Sequence, residues 1–211
     1  MNISLHIFTN CTEKYPLDNL LRTYNSFCDA FGKMEPTIWI DPNPNNLIYK
    51  TYLKDLTKHF KILHTTTSLS DGYIQAIKYY KTDYLFMLEH DWIFRKENIK
   101  HSLYKIMDAM QSNGIYHLRF NKRVNEKTGW DFKISECGDD NFKFCKTNNV
   151  SNNPHILHRK TGLEWIKKEW IKIMPGSKGI EERHLKNSET WGAIYGGLNY
   201  PQTIQHLNTR G

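Results

Sequence analysis

An unbroken apolar run, YLFML at residues 84–88, most constrains what this chain can fold into. A strand with one solvated face alternates apolar and polar residues, so a continuous run indicates a strand that is buried on both faces. Two carboxylates follow it directly, in Glu89-His90-Asp91. In an extended chain the side-chain period of two turns Glu89 and Asp91 to one side and His90 to the other. The run therefore predicts a central strand that ends in an acidic pair.

Predicted strands and helices alternate around this run, which favours an α/β fold with a central, mostly parallel sheet flanked by helices. The predicted strands cover residues 3–8, 37–40, 61–64, 84–88 and 115–120. The predicted helices cover residues 16–31 and 47–60, then a segment from a cap at Ser68 or Ser70 to residue 80, and a segment with Ile99, Leu103, Ile106, Met107 and Met110 on one face that stops at Gly114.

The pattern loosens in the second half of the chain. Residues 121–153 are polar and predict long loops or an antiparallel hairpin. Thr161 with Glu164 has the spacing of a capping box, which predicts a helix that continues to residue 174. A last helix is predicted over residues 180–195.

Size and composition favour one compact domain. The 211 residues suffice for a single core, and we find no internal repeat and no Gly/Ser/Pro linker. Four cysteines without a CxxC spacing argue against a zinc site and favour a reducing cytoplasm. The sequence shows no targeting pattern and no apolar run long enough to span a bilayer, so we expect no membrane anchor in this chain.

The formal net charge of +7 favours anionic partners. Diphosphates, nucleic acid and anionic membrane surfaces all meet that description. The basic residues are scattered rather than gathered in one block, so charge alone does not choose among these partners.

The position of the acidic pair points to a ligand site. In open α/β sheets, ligands bind beyond the carboxyl ends of the strands, where two carboxylates can hold a hard divalent cation that also coordinates a diphosphate. The alternative is that Glu89 and Asp91 only begin a solvated loop. The preceding buried strand favours the cation site.

Residues 68–94, SLSDGYIQAIKYYKTDYLFMLEHDWIF, resemble the central stretch of GT-A-fold glycosyltransferases, with Glu89-His90-Asp91 in the place of the DxD motif. The resemblance extends to residues 3–12, to Asp41 and to residues 206–210. More specifically, the chain is similar to the N-terminal domain of chlorella-virus glycosyltransferases of the capsid-protein glycan. This implies a single GT-A-like domain with a nucleotide-sugar-binding half (1–120) and an acceptor-binding half (121–211), in the host cytoplasm and compatible with one module of a longer polypeptide.

The same resemblance implies roles for individual residues. Asp91, Glu89 and His206 would bind Mn²⁺ or Mg²⁺, although Glu89 stands where the family usually has Asp, so a ribose or water-mediated contact is an equal alternative for it. The remaining implied contacts to the nucleotide sugar are Thr9, Asn10 and Asp41 at the uridine, Ser68, Ser70 and Asp71 at the ribose or phosphate, His90 within the motif, and Arg210 at the diphosphate.

Transfer with inversion also requires a general base for the acceptor hydroxyl. Glu181 and Glu182 lie where inverting members of the family place this acid, and Asp131, Asp139 and Asp140 are competing candidates. Acids in a first helical turn also favour the helix dipole without any catalytic role. Trp130, beside a glycine in a predicted loop, is the candidate for stacking on an acceptor sugar.

The expected activity is metal-dependent transfer of a hexose from a UDP-sugar to a glycan or glycoprotein acceptor in capsid glycosylation. UDP-glucose is the leading donor and UDP-rhamnose the next, and no nucleic-acid partner is expected. Two alternatives stay open. A sugar-phosphate nucleotidyltransferase would also use acids on an α/β sheet, but the chain has no P-loop and no GxGxxG fingerprint. A non-catalytic nucleic-acid-binding module would suit the positive charge.

Overall fold

A nine-stranded sheet forms the centre of the protein, whose computed structural model describes residues 1–10, 16–41, 48–126, 135–139, 142–147, 150–174 and 191–207. The strands of this sheet are β1 (Ile3–Asn10), β2 (Pro36–Asp41), β3 (Ile62–Thr65), β4 (Tyr84–Glu89), β6 (Ile115–Arg119), β7 (Ser135–Gly138), β8 (Lys143–Thr147), β9 (His155–His158) and β10 (Trp191–Tyr195). A two-stranded sheet pairs β5 (Trp92–Phe94) with β11 (Ile204–His206).

The strand order is β3-β2-β1-β4-β9-β6-β10-β8-β7. Strands β1 to β4 are mutually parallel, β6 and β10 are parallel, and β9 pairs antiparallel with both β4 and β6. Because β8 is antiparallel to β10 and β7, only β8 and β9 oppose the other seven strands. The prediction of a mostly parallel sheet is therefore confirmed.

Five helices cover the two faces of the large sheet within the described residues: α1 (Pro16–Phe31), α2 (Tyr49–His59), α3 (Leu69–Tyr79), α4 (Leu103–Ser112) and α5 (Arg159–Lys167). Strand β4 is buried on both faces, as its apolar run predicts. Phe86 and Leu88 join the core under α1, α2 and α4, whereas Leu85 and Met87 join the core under α3 and α5. The side-chain alternation of each central strand thus assigns its terminal residue to one of the two faces.

Most predicted elements are confirmed within one or two residues at each end. Helix α1 has the predicted bounds, Ser68 caps α3, Gly114 follows α4 with a positive φ of 61°, and β7 with β8 forms an antiparallel hairpin. The prediction that Ile99 lies on the apolar face of α4 is wrong. Ile99 precedes this helix and follows a short 3₁₀ turn, Lys96–Asn98.

The predicted helix from Thr161 to residue 174 is wrong at both ends. Helix α5 begins at Arg159, so Thr161 lies inside its first turn rather than at the cap. It ends at Lys167 because Glu169 adopts a left-handed conformation, with φ of 56°, and the Trp170 amide donates to the Trp165 carbonyl. This 6→1 hydrogen bond is typical of a Schellman termination.

The predicted helix over residues 180–195 is also wrong in its described part. Residues 180–190 lie outside the described residues, but Trp191–Tyr195 forms β10 between β6 and β8. A short apolar run such as WGAIY suits a buried strand and a buried helix equally, and its partners lie far away along the chain. None of the helices that the structure describes is long and apolar enough to cross a membrane.

Candidate active site

The carboxyl ends of β2, β1 and β4 bring three of the predicted site residues to one face of the sheet. Asp41, Asn10 and Glu89 are the last residues of these strands, and Asn10 is in register with Asp41. Each lies two residues after a member of the core under α3, namely Trp39, Phe8 and Met87. Because side chains alternate, Asp41, Asn10 and Glu89 share the face that α3 covers.

The amino end of α3 contributes two further residues to this face. The Ser68 hydroxyl accepts a hydrogen bond from the Asp71 amide at 3.2 Å, so Ser68 is the N-cap. Asp71 is buried, and its Oδ2 accepts from the Thr67 amide at 2.9 Å, the Thr67 hydroxyl at 3.1 Å and the Gln75 side-chain amide at 2.9 Å. Burial acts to raise the pKa of Asp71, but these hydrogen bonds outweigh it and leave the pKa below its ordinary value.

The negative charge of Asp71 acts on Asp41 across this face. Burial raises the pKa of Asp41, and the negative charge of Asp71 raises it further. The sequence analysis placed Asp41 at the uridine and Asp71 at the ribose or phosphate. The two carboxylates therefore lie close enough for the charge of Asp71 to affect Asp41.

Two other predicted contact residues have hydroxyls that are engaged within the protein. Thr9 points to the opposite face, where its hydroxyl and the Tyr52 hydroxyl are 2.5 Å apart. The buried Ser70 hydroxyl donates to the Met174 carbonyl at 3.1 Å and accepts from the Met174 amide at 2.8 Å. These hydrogen bonds link distant parts of the sequence, and no local pattern could have revealed them.

The acidic motif itself departs from the predicted extended geometry. Strand β4 ends at Glu89, and His90 with Asp91 forms a turn that leads into β5. The turn is held from three sides: the His90 amide donates to the Phe8 carbonyl at 3.0 Å, the Thr23 hydroxyl donates to the His90 carbonyl at 2.7 Å, and the Leu207 amide donates to the Asp91 carbonyl at 2.7 Å. The prediction that Glu89 and Asp91 alternate along one strand is wrong, because the chain turns there to pair with β11.

Asp91 and His206 meet at this turn. His206 Nε2 lies 2.9 Å from Asp91 Oδ2, and the His206 ring packs edge-on against Trp92, its partner in the β5–β11 ladder, with centroids 4.8 Å apart. The second carboxylate oxygen, Asp91 Oδ1, is buried and has no hydrogen-bond partner among the described residues. A desolvated carboxylate oxygen is costly unless a donor or cation reaches it, so a carboxylate and an imidazole at this position fit a divalent cation.

The three predicted metal ligands do not form a preassembled cluster. No group of three His, Cys, Asp or Glu side chains close enough to hold a metal occurs in the part of the chain that the structure describes. Glu89 therefore stands apart from the Asp91–His206 pair.

The remaining predicted residues fall outside the described residues or away from this edge. Glu181, Glu182, Arg210, Trp130, Asp131 and Asp140 are not among the described residues. Asp139 is described, and its Oδ1 accepts from the Phe142 amide at 2.9 Å in the turn between β7 and β8. That hydrogen bond gives Asp139 a structural role in the hairpin at the far edge of the sheet.

Solved structures resemble this protein in fold. TarS residues 1–349 from S. aureus align with a TM-score of 0.56 and 10% identity over 97% of this chain and 60% of that one. The same TarS fragment in complex with UDP-GlcNAc aligns with a TM-score of 0.56 and 13% identity, over 100% of this chain and 62% of that one. HddC from Yersinia pseudotuberculosis aligns with a TM-score of 0.54 and 11% identity, over 98% of this chain and 93% of that one. The chain thus spans about three fifths of the TarS fragment. No family model and no curated protein matches the sequence. These similarities show a single GT-A-like α/β fold.

Proposed function

We propose that the protein is a metal-dependent glycosyltransferase that transfers a hexose from a UDP-sugar to a glycan acceptor. The observation that carries the proposal is the buried Asp91 Oδ1 beside His206, which has no hydrogen-bond partner among the described residues and lies at the carboxyl edge where open α/β sheets bind ligands. The structural similarity to TarS, which has been solved with UDP-GlcNAc, supports a nucleotide sugar as the ligand.

In this proposal Asp91 and His206 supply two protein ligands to Mn²⁺ or Mg²⁺. Glu89 lies at the same edge without joining them in a three-ligand cluster, so we assign it the ribose or water-mediated contact. A divalent cation supplies a Lewis acid that stabilises the negative charge on a departing nucleoside diphosphate. Arg210 is assigned to the diphosphate, where a guanidinium can bind two oxygens at once.

The face under α3 is assigned to the nucleoside. The Asp41 carboxylate can accept the ring N–H of uracil, and Asn10 beside it offers both a donor and an acceptor. The amino end of α3, with Ser68 and Asp71, is assigned to the ribose and the adjoining phosphate. Glu181 or Glu182 is the proposed base that takes the proton of the acceptor hydroxyl.

The first test is a calorimetric titration of UDP, GDP and CMP into the protein with and without Mn²⁺. We expect UDP to bind in a Mn²⁺-dependent manner and Asp91→Asn to weaken that binding at least tenfold, about 1.4 kcal/mol. Asp108→Asn, at an exposed carboxylate on α4, is the matched control and should bind as the wild type does. Failure of all three nucleotides to bind under any condition would overturn the proposal.

The second test separates the proposed activity from its alternatives. Release of UDP from UDP-glucose or UDP-rhamnose, with Mn²⁺, supports a glycosyltransferase and identifies the donor. Release of pyrophosphate from UTP and glucose 1-phosphate would instead show a nucleotidyltransferase. Metal-independent, salt-sensitive binding of DNA or RNA would show a nucleic-acid-binding module. The role in viral capsid glycosylation stays a prediction from the sequence resemblance alone.

A further inference from the structure

The strand that carries His206 is too short to fix its own position. Strand β11 contains three residues, and within the described part of the chain it pairs only with β5, another three-residue strand. A two-stranded ladder of this length is marginally stable by itself. The position of the imidazole must therefore be set by contacts outside the ladder.

A buried polar cluster immediately before β11 supplies such contacts. Thr203 is fully buried, and Asn121, two residues after β6, is 4% exposed. The Thr203 hydroxyl donates to Asn121 Oδ1 at 2.5 Å and accepts from the Asn121 amide at 3.0 Å. The Thr203 amide donates to the Asn121 carbonyl at 2.9 Å, and the Thr203 hydroxyl lies 3.3 Å from the same carbonyl oxygen, so four hydrogen bonds join these two residues across 82 positions.

The same cluster ties down the chain on either side of Thr203. Asn121 Nδ2 donates to the Pro201 carbonyl at 2.9 Å and the Arg123 carbonyl at 2.8 Å. The Arg95 amide, directly after β5, donates to the Thr203 carbonyl at 2.8 Å. Strand β11 is thus fixed at its start by the large sheet and by β5, and just beyond its end by the hydrogen bond from Leu207 to Asp91.

We infer that Thr203 and Asn121 are positioning residues that hold His206 against Asp91, an inference that rests on the proposed metal site. His206 lies three residues after Thr203, between the two fixed points. Partners that orient a ligating side chain influence metal affinity without touching the metal. Loss of the Thr203–Asn121 hydrogen bonds therefore releases the start of β11 and moves the imidazole away from the carboxylate.

The decisive variants change one hydroxyl. Thr203→Val keeps the side-chain volume but removes the three hydrogen bonds that the hydroxyl makes with Asn121, whereas Thr203→Ser retains them. We expect Thr203→Val to weaken Mn²⁺ binding about 10- to 100-fold, measured by electron paramagnetic resonance of free Mn²⁺ with UDP present, and Thr203→Ser to restore most of it. Thr161→Val is the control. Thr161 is also buried, and its hydroxyl forms a hydrogen bond with His158 Nδ1 at 3.0 Å, at the opposite end of the sheet.

A double-mutant cycle separates positioning from general destabilisation. If Thr203 acts through His206, Thr203→Val has no further effect on Mn²⁺ affinity in a His206→Ala background. Unchanged affinity in Thr203→Val, or a full additional loss in the His206→Ala background, would overturn the inference.

A metal-free measurement keeps this inference separable from the proposed function. The Trp92 ring, edge-on to His206, should shift the His206 ring proton signals in the NMR spectrum of the wild type. We expect Thr203→Val, but not Thr203→Ser, to move these signals toward their values in an unstructured peptide. Identical His206 signals in all three proteins would reject the positioning role. Absence of Mn²⁺ binding by the wild type would instead reject the metal site, while the NMR comparison still decides whether Thr203 positions His206.

Discussion

At the scale of single residues, hydrogen bonds at the edge of the sheet decide which side chains face a ligand. The sequence resemblance assigns Thr9 and Ser70 to the nucleotide. In the structure, however, their hydroxyls form hydrogen bonds with Tyr52 and Met174. Asp71 has a proposed binding role and a structural role, because it lies on the proposed nucleotide face and its carboxylate also accepts hydrogen bonds at the start of α3. Its contribution to stability can therefore be measured without any ligand.

Replacing Asp71 by Asn should lower the free energy of unfolding by about 1–2 kcal/mol at pH 7, because the charge-assisted hydrogen bonds to Thr67 and Gln75 are lost. The folded-state pKa of Asp71 lies below its ordinary value of 3.8, so this stabilisation is present above pH 3.8 and is lost as the pH falls through the folded-state pKa. Urea unfolding of both proteins at pH 7 and pH 3 should show the difference narrowing at pH 3. An equal difference in the free energy of unfolding at pH 7 and pH 3 would show that the ionised Asp71 carboxylate does not stabilise the fold.

Replacing Gly72 by Ala should destabilise the protein by about 1–3 kcal/mol from overpacking, even though alanine is favoured in helices by up to about 1 kcal/mol. A Cβ at this position would meet two ring carbons of Phe8 at 3.0 Å. The Phe8 ring stacks on Tyr73 at 4.4 Å and lies beside Trp39 at 6.4 Å, so it cannot retreat easily. Thermal unfolding decides the sign, and a raised melting temperature would show that the ring does move.

At the scale of elements, local sequence predicts a strand or helix well where the hydrophobic pattern and the signals for its two ends lie within one segment. Helix α1 and strand β4 have strong periodicity or a continuous apolar run, and their bounds are confirmed. The end of α5 depends on a left-handed Glu169, a residue that no turn rule favours there. Strands β10 and β11 depend on distant partners, β6 and β5, so the local pattern could not distinguish them from helix or tail.

The side chain of Asn125 bridges three carbonyls of the turn after β10. Asn125 is buried, and its Nδ2 donates to the carbonyls of Tyr195, Gly196 and Gly197 at 2.9–3.1 Å. We expect Asn125→Ala to cost about 1–3 kcal/mol, since it leaves these acceptors without that donor. Asn125→Asp should cost more, because an isosteric carboxylate would face three carbonyl oxygens. Urea unfolding should rank the wild type above Ala and Ala above Asp, and the reverse order of the two variants would contradict this account.

At the scale of the whole molecule, the order of strands is what the sequence leaves undetermined. Alternating elements predict the parallel half of the sheet, β3-β2-β1-β4, because each helix returns the chain to the next strand. Strand β9 enters antiparallel between β4 and β6, in a stretch for which the sequence analysis predicts no element. The Asp91–His206 contact likewise joins residues 115 positions apart, so the sequence analysis could name both as candidate ligands but could not predict their contact.

The sheet buries three histidines whose titration should dominate acid unfolding. Burial lowers the pKa of His6 to about 3, with a further contribution from His64, lowers that of His155 to about 4, and lowers that of His117 well below 6.5. Each imidazole takes up a proton on unfolding between its folded-state pKa and an unfolded value near 6.5. Stability is therefore full above about pH 6.5 and falls with decreasing pH by up to about 1.4 kcal/mol per pH unit for each histidine.

Substitution of one buried histidine should reduce this pH dependence by about one proton. We expect His155→Gln to be less stable than the wild type at pH 7, because a packed ring is lost, yet to lose less stability between pH 6 and pH 5. His59→Gln, at an exposed position on α2, should leave the pH dependence nearly unchanged. Urea unfolding at half-unit pH intervals measures the slope for all three proteins. A slope for His155→Gln equal to that of the wild type would mean that His155 is already protonated in the folded protein, and that the core under α3 and α5 admits a charge.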